Sequence, residues 1–256
     1  RQMCIRDRCL LYFLSMTLTE RQKKILMLII REFIETAEAV GSINLHAKYN
    51  FQLSSATIRN EMCELVSKGF LYQKHNSGGR IPTTTGWRYF VQEVLRNLSE
   101  INNLISEDVR AQLYNMRSNK TYLIKHAINL LSSITKNTSV AIIENTVYYS
   151  GLSNLVNLPE FQSSSELLER ILNILEDYSK LSEIVNKGSK DEDLNIIIGE
   201  ESQLDYFVDF SVVFSEVRTN GVNNGYIAVM GPTRMQYDLV ISAVKNIVDT
   251  VKIIIE

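Results

Sequence analysis

One feature of this sequence limits its fold more than any other: a helix with a narrow apolar stripe runs straight into a glycine-rich hairpin. Ser54 is a natural N-cap, and the spacing predicts a helix from Ser55 to about Lys68. At helical periodicity Ile58, Met62 and Leu65 share one face, which has to be the core face. Ala56, Thr57, Asn60 and Cys63 fall opposite, with Arg59 flanking and long enough to reach around. Small, polar and basic side chains near a helix N-terminus suit insertion into a DNA major groove. There arginine pairs with guanine, asparagine with adenine, and alanine or threonine methyls touch thymine. A solvated face fits that helix equally well, so the next segment decides. Gly69–Tyr72 leads into Gln73–Pro82, a strand, a glycine-rich turn and a second strand closed by proline. A tip flanked by Lys74, His75 and Arg80 is poor core material but well suited to phosphate or minor-groove contact. Gly78-Gly79 sits in no GxxxxGKS/T pattern, which excludes a phosphate-binding loop of that type.

The residues upstream complete a helical triplet. Thr19 and Gln22 fit a capping box, with Leu18 placed as a hydrophobic staple. Ile25, Leu28, Ile29 and Phe33 give that helix its buried side. It should end near Ala37–Gly41, with Gly41 supplying the positive φ. A second helix is expected over Ser42–Tyr49, with Leu45 inward. Three helices and then a basic hairpin is the winged-helix order. Downstream, a helical connector over 92–118 leads to a helix from Thr121 to Lys136 and a buried strand, Ser139–Ile143, continued by Val147–Tyr149. One long amphipathic helix is expected over Ser165–Asn186, and strands over Leu194–Ile198, Phe210–Val217 and Gly225–Met230. A last helix starts at about Gln236. The fold class is therefore α+β, an N-terminal winged helix-turn-helix domain (17–91) followed by an α/β domain (119–256).

Charge divides the chain in the same place. Residues 17–96 carry a net of +4, residues 97–256 a net of −8, and the first sixteen residues +2. A basic front and an acidic back point to different partners for the two halves. No apolar run reaches the roughly 18–20 residues of a membrane helix. Residues 1–16 read as a non-native extension, because MCIRDR resembles translated sequencing-adapter sequence and Met16 precedes a well-capped helix. Setting them aside leaves Cys63 as the one cysteine, which fits a reducing cytoplasm and no disulfide framework. His46, His75 and His126 show no HxxxH spacing and no CxxC accompanies them, so neither a metal nor a cofactor is expected. Asp191-Glu192-Asp193 reads as a solvated loop, and Trp87 and Tyr89 as core or interface aromatics. Arg234 in Gly231–Met235 could hold an anion at a helix start, but pairing with an acidic surface is the simpler expectation. No clustered nucleophile and base appears, so an enzyme is not expected.

Two long blocks carry a family resemblance. LTERQKKIL, REFIETAEAVGS, LSSATIRNEMCELVSKGFLYQKHNSGGRIPTTTGWRYFV, spread over Leu18–Val91, resembles the N-terminal domain of the HrcA family of heat-inducible transcription repressors. SSATIRNEM and GRIPT are its most specific parts. GLSNL, PEF, IGEES and GPTRMQYDLVISAV resemble the same family's GAF-like domain. The resemblance implies a cytoplasmic, nucleoid-associated repressor. Such a repressor binds an inverted-repeat operator in double-stranded DNA upstream of chaperone genes as a homodimer, and a GroEL-type chaperonin modulates it. It places Ser55, Thr57, Arg59 and Asn60 on the recognition helix and His75, Asn76 and Arg80 on the wing, to which the helix face and the hairpin add Ala56 and Lys74 as expected DNA contacts. Ile43, Asn76, Gly79 and Thr84-Thr85 depart from the family's usual residues. Family members also carry an inserted dimerisation domain between the Ser139–Ile143 strand and GLSNL, where this chain has only Glu144–Ser150. The expectation is a minimal member that dimerises through its connector helices and its sheet or last helix. The competing readings are a small-molecule-gated regulator using the GAF-like domain as sensor, and a hydrolase or transferase docked by the winged helix.

Overall fold

The computed structural model describes residues 18–49, 53–73, 78–97, 107–188, 193–219 and 222–255. The expectations for residues 1–16 and for Lys74, His75 and Asn76 lie outside the described residues. The chain separates into two compact units, with the break between Phe90 and Val91.

The first unit begins with α1 (Glu20–Thr36), α2 (Ser42–Tyr49) and α3 (Ser55–Ser67). The capping box forms as expected, with Thr19 Oγ1 accepting from Gln22 N at 3.2 Å and Gln22 Oε1 accepting from Thr19 N at 3.3 Å. The buried side of α1 is Ile25, Leu26, Ile29 and Ile30, so Leu26 and Ile30 take core places that periodicity gave to Leu28 and Phe33. The positive φ at the end of α1 belongs to Ala37 (φ 57°) and not to Gly41. The physical reason is the next helix: Gly41 O already accepts from Leu45 N, so Gly41 opens α2 rather than closing α1. Lys48 bonds Glu32 (2.6 Å) and Glu35 (2.8 Å), and those two hydrogen bonds hold its ammonium above the usual lysine range. They moor α2 to α1.

After α3 come β1 (Leu71–Tyr72) and β2 (Ile81–Pro82), antiparallel with Leu71 opposite Pro82 and Tyr72 opposite Ile81. A third segment joins them. Val40 N donates to Arg80 O (2.9 Å) and Arg80 N to Val40 O (2.8 Å), which pins the hairpin to the link between α1 and α2. Gly79 makes that approach possible, since a Cβ there would sit 2.4 Å from Ala39 O. α4 (Thr84–Arg96) follows, and Trp87 packs in the core against Phe33 and Phe90.

The second unit is a five-stranded antiparallel sheet in the order β4-β3-β7-β6-β5, formed by β3 (Thr138–Ile143), β4 (Thr146–Ser150), β5 (Asn195–Ile198), β6 (Phe210–Thr219) and β7 (Val222–Pro232). Before β3 lie α5 (Glu107–Asn115) and α6 (Lys120–Thr135). After β4 lie α7 (Leu152–Val156), α8 (Pro159–Ser163), α9 (Ser165–Glu176) and α10 (Tyr178–Asn186), and the chain closes with α11 (Tyr237–Ile255). Alternation along the strands builds two apolar layers. Val140, Ile142, Val212, Phe214 and Met230 pack against Leu155, Phe161, Ile171, Leu175 and Ile184 of α7–α10. On the opposite face α6 packs on β3 and β4, and α11 packs on β6 and against α6. The single helix expected over Ser165–Asn186 is two. Asp177 breaks it by accepting from Ser179 N (2.8 Å) and Lys180 N (3.3 Å), an N-cap that redirects the chain.

Candidate nucleic-acid interface

The face of α3 is set by its cap and its core stripe together. Ser54 Oγ accepts from Thr57 N at 3.1 Å, which fixes where the helix begins. Ile58, Met62 and Leu65 are buried as their spacing predicted. That leaves Ala56, Arg59 and Asn60 exposed and Ser55 and Thr57 half-buried on the first turns. The Thr57 hydroxyl also lies 2.9 Å from Ser54 Oγ, so its methyl is the part left to meet a partner. The structure thus brings all five expected helix residues to one end of one helix.

The orientation of α3 rests on a buried glutamine that the sequence showed only as a cap. Gln22 Nε2 donates to Glu61 Oε2 (3.1 Å) and Glu64 Oε2 (2.8 Å), and its Oε1 accepts from Lys68 Nζ (2.8 Å) as well as Thr19 N. All its donor and acceptor capacity is used, and α1 and α3 are fixed side by side. Arg21 adds an ion pair to Glu61 at 3.2 Å.

Arg80 stands differently from the reading that made it a wing contact. Its side chain is 8% exposed and turned inward. Nη1 donates to Gly78 O (3.2 Å), Nη2 donates to Cys63 Sγ (3.5 Å), and Nε is buried without an acceptor. Its pairing with Val40, forty residues upstream, causes this burial, and no local pattern announces such a contact. Arg80 therefore joins the hairpin to the exposed side of α3. The sequence also missed Val40 as a strand partner and Cys63 as a neighbour of Arg80.

In the second unit the motifs are structural. Gly151 (φ 82°) lets the chain pass so close to α6 that a Cβ would lie 1.9 Å from Ser132 Oγ. Asn154 Nδ2 then bonds Ser132 Oγ (3.1 Å) and Asn137 O (3.2 Å). Arg234 pairs with Glu160 through both Nε and Nη2, which satisfies the expectation that it meets an acidic side chain. The space between the sheet and α7–α10, where a sensor site would be sought, holds the stacked rings of Phe161 and Phe210 with Phe207 beside them. Among the described residues no three histidine, cysteine, aspartate or glutamate side chains come together as a metal site. No helix among them is long and apolar enough to cross a membrane.

Comparison with known proteins places these units in context. A family model described as "HrcA protein C terminal domain" matches residues 88–241. The heat-inducible transcription repressor HrcA of Thermoanaerobacter sp. strain X514 is 26% identical over 327 aligned positions, covering 90% of this chain and 94% of that protein. Its counterpart from Acetivibrio thermocellus is 32% identical, covering 93% of this chain and 64% of its own length. An alignment of 327 positions that uses 90% of a 256-residue chain leaves roughly a hundred positions with no counterpart here. A crystal structure of a hypothetical protein at 2.2 Å shares the fold with a TM-score of 0.77 at 19% identity, covering 93% of this chain and 99% of that one.

Proposed function

We propose, from the premise that this chain belongs to the HrcA family of transcription repressors, that residues 18–90 form a winged helix-turn-helix module that reads operator DNA. The observation that carries the reading is the exposed N-terminal face of α3. It holds Ser55, Ala56, Thr57, Arg59 and Asn60 clear of the core, while the hairpin is pinned beside it through Val40 and Arg80. Arg59 and Asn60 read base edges, and Ser55, Ala56 and Thr57 make the close contacts at the groove wall. Lys74, His75 and Asn76 of the wing supply sequence-independent phosphate contacts. Arg80 supports the wing from inside.

The second unit is a GAF-like regulatory and assembly domain, and its net negative charge keeps it off the duplex. Two copies bind an inverted-repeat operator upstream of chaperone genes, one half-site each, so that protein symmetry mirrors operator symmetry. The protein acts in the cytoplasm on nucleoid DNA, with a GroEL-type chaperonin keeping it active until heat draws the chaperonin away. A salt-controlled gel shift on the upstream regions of its own chaperone genes, with and without chaperonin, tests the reading. Binding no tighter than to random duplex at every salt concentration refutes it. Arg59→Ala should cost about 1–3 kcal/mol on the operator and relax one base preference. Equal losses on operator and random DNA would remove Arg59 from base reading.

A further inference from the structure

The Nε and Nη2 hydrogens of an arginine lie along one edge of the guanidinium, and that edge holds two acceptor atoms at once. Arg234 uses it so, gripping both carboxylate oxygens of Glu160. Arg80 has the same two donors close to Cys63 but uses one: Nη2 donates to Sγ at 3.5 Å, while Nε, bonded through the same guanidinium carbon, is buried and has no acceptor. A buried, unmatched charged donor is destabilising and calls for an explanation. Cys63 itself is exposed, on the side of α3 away from the core.

We propose that Cys63 is an oxidation site whose product Arg80 receives: hydrogen peroxide converts the thiol to a sulfenic acid, and the new oxygen becomes the acceptor that Arg80 Nε lacks. In the step, Sγ attacks one peroxide oxygen. An S–O bond forms and the O–O bond breaks. Sulfur is oxidised by two electrons, the peroxide is reduced, and the thiol proton leaves with the departing hydroxide as water. Sγ and its oxygen then offer two acceptor atoms to the two donors, where a bare sulfur offers one. Exposed sulfur in a cationic setting is where such oxidation is selective. Its consequence for gene control rests on the DNA reading above. The oxygen, or a thiol adduct that later replaces it, adds bulk and negative character to the side of α3 that would face phosphates.

The test uses the full chain and hydrogen peroxide, with a 1,3-diketone to trap sulfenic acid and peptide mass spectrometry to locate it. Cys63 should be trapped at least about tenfold faster in the folded protein than in urea, where Arg80 no longer sits beside it. Arg80→Lys, which keeps the charge but loses the two-donor edge, should lower the folded-state rate several-fold. An equal or slower rate in the folded protein than in urea overturns the proposal, whether or not Arg80→Lys folds. A gel shift on the chaperone-gene upstream duplex forms the second arm. Peroxide should weaken binding by wild type relative to its own reduced form and leave Cys63→Ala at its own reduced value. Trapping without any loss of binding overturns the control role. Absence of binding by the reduced wild type refutes the DNA reading instead, and leaves the trapping result to stand by itself.

Discussion

Replacing Gln22 by methionine keeps the volume of a side chain that is 2% exposed and removes all four of its hydrogen bonds. The bond to half-buried Glu61 counts at about 1 kcal/mol, while those to exposed Thr19 and Glu64 and to half-buried Lys68 count at roughly half to three-quarters of that. The expected loss is about 2–3 kcal/mol. With a urea slope near 2 kcal/mol per molar, the midpoint for this unit should fall by about 1 M. The readout is direct, because the chain's one tryptophan, Trp87, is buried in the same unit and its fluorescence follows that unit's unfolding. Gln22→Glu sharpens the test. It keeps acceptors for Thr19 N–H and Lys68 but sets a third carboxylate beside Glu61 and Glu64, so at neutral pH it should unfold at lower urea than Gln22→Met. A Gln22→Met midpoint within about 0.2 M of wild type would refute the argument that this glutamine fixes α1 to α3.

Three further substitutions probe other joints of the structure. Tyr237→Phe removes a fully buried hydroxyl that donates to Thr233 O and shares a bond with Ser211 Oγ, both at 2.8 Å; urea unfolding should show a loss of about 1–3 kcal/mol. Gly151→Ala places a Cβ against Ser132 Oγ and Asn137 O at a backbone with φ 82°, and a loss above about 2 kcal/mol in thermal melts is expected. Asp177→Ala removes the cap between α9 and α10 and should cost about 1 kcal/mol, with hydrogen exchange rising first at Ser179 and Lys180.

The helix that carries the proposed DNA face was legible because its signals were local. A serine cap and three apolar residues at helical spacing placed α3 within a residue of its observed limits. The same local logic failed where a distant partner decides. Gly41 looked like a helix end because glycine often is one, yet Ala37 takes the left-handed turn so that Val40 can meet Arg80. Arg80 read as a surface cation because arginines beside glycine-rich tips usually are, and only that long-range pairing turns it inward. Asp177 hid inside an unbroken amphipathic stretch, where one aspartate does not disturb the apolar period but does stop the backbone ladder. The sheet itself was visible as apolar runs, but neither its order nor its register could be read, since both depend on pairings between segments up to ninety residues apart.

The turn between β3 and β4 has a consequence of its own. Glu144 and Asn145 both adopt left-handed backbone (φ 50° and 65°), the geometry of the tightest hairpin, and Ile143 faces Thr146 directly across it. The two chain ends entering and leaving the turn are thus adjacent neighbours on the rim of the sheet. Any additional segment whose own ends lie close together could be spliced in there without moving a strand, and its closure cost would grow by only about 0.6 kcal/mol per doubling of length. The resemblance to the family implies that its longer members' extra segment lies between the Ser139–Ile143 strand and GLSNL, a stretch that includes this turn. The turn is therefore a port in the scaffold: a lineage could load or empty it while the five strands and the helices upon them keep their register.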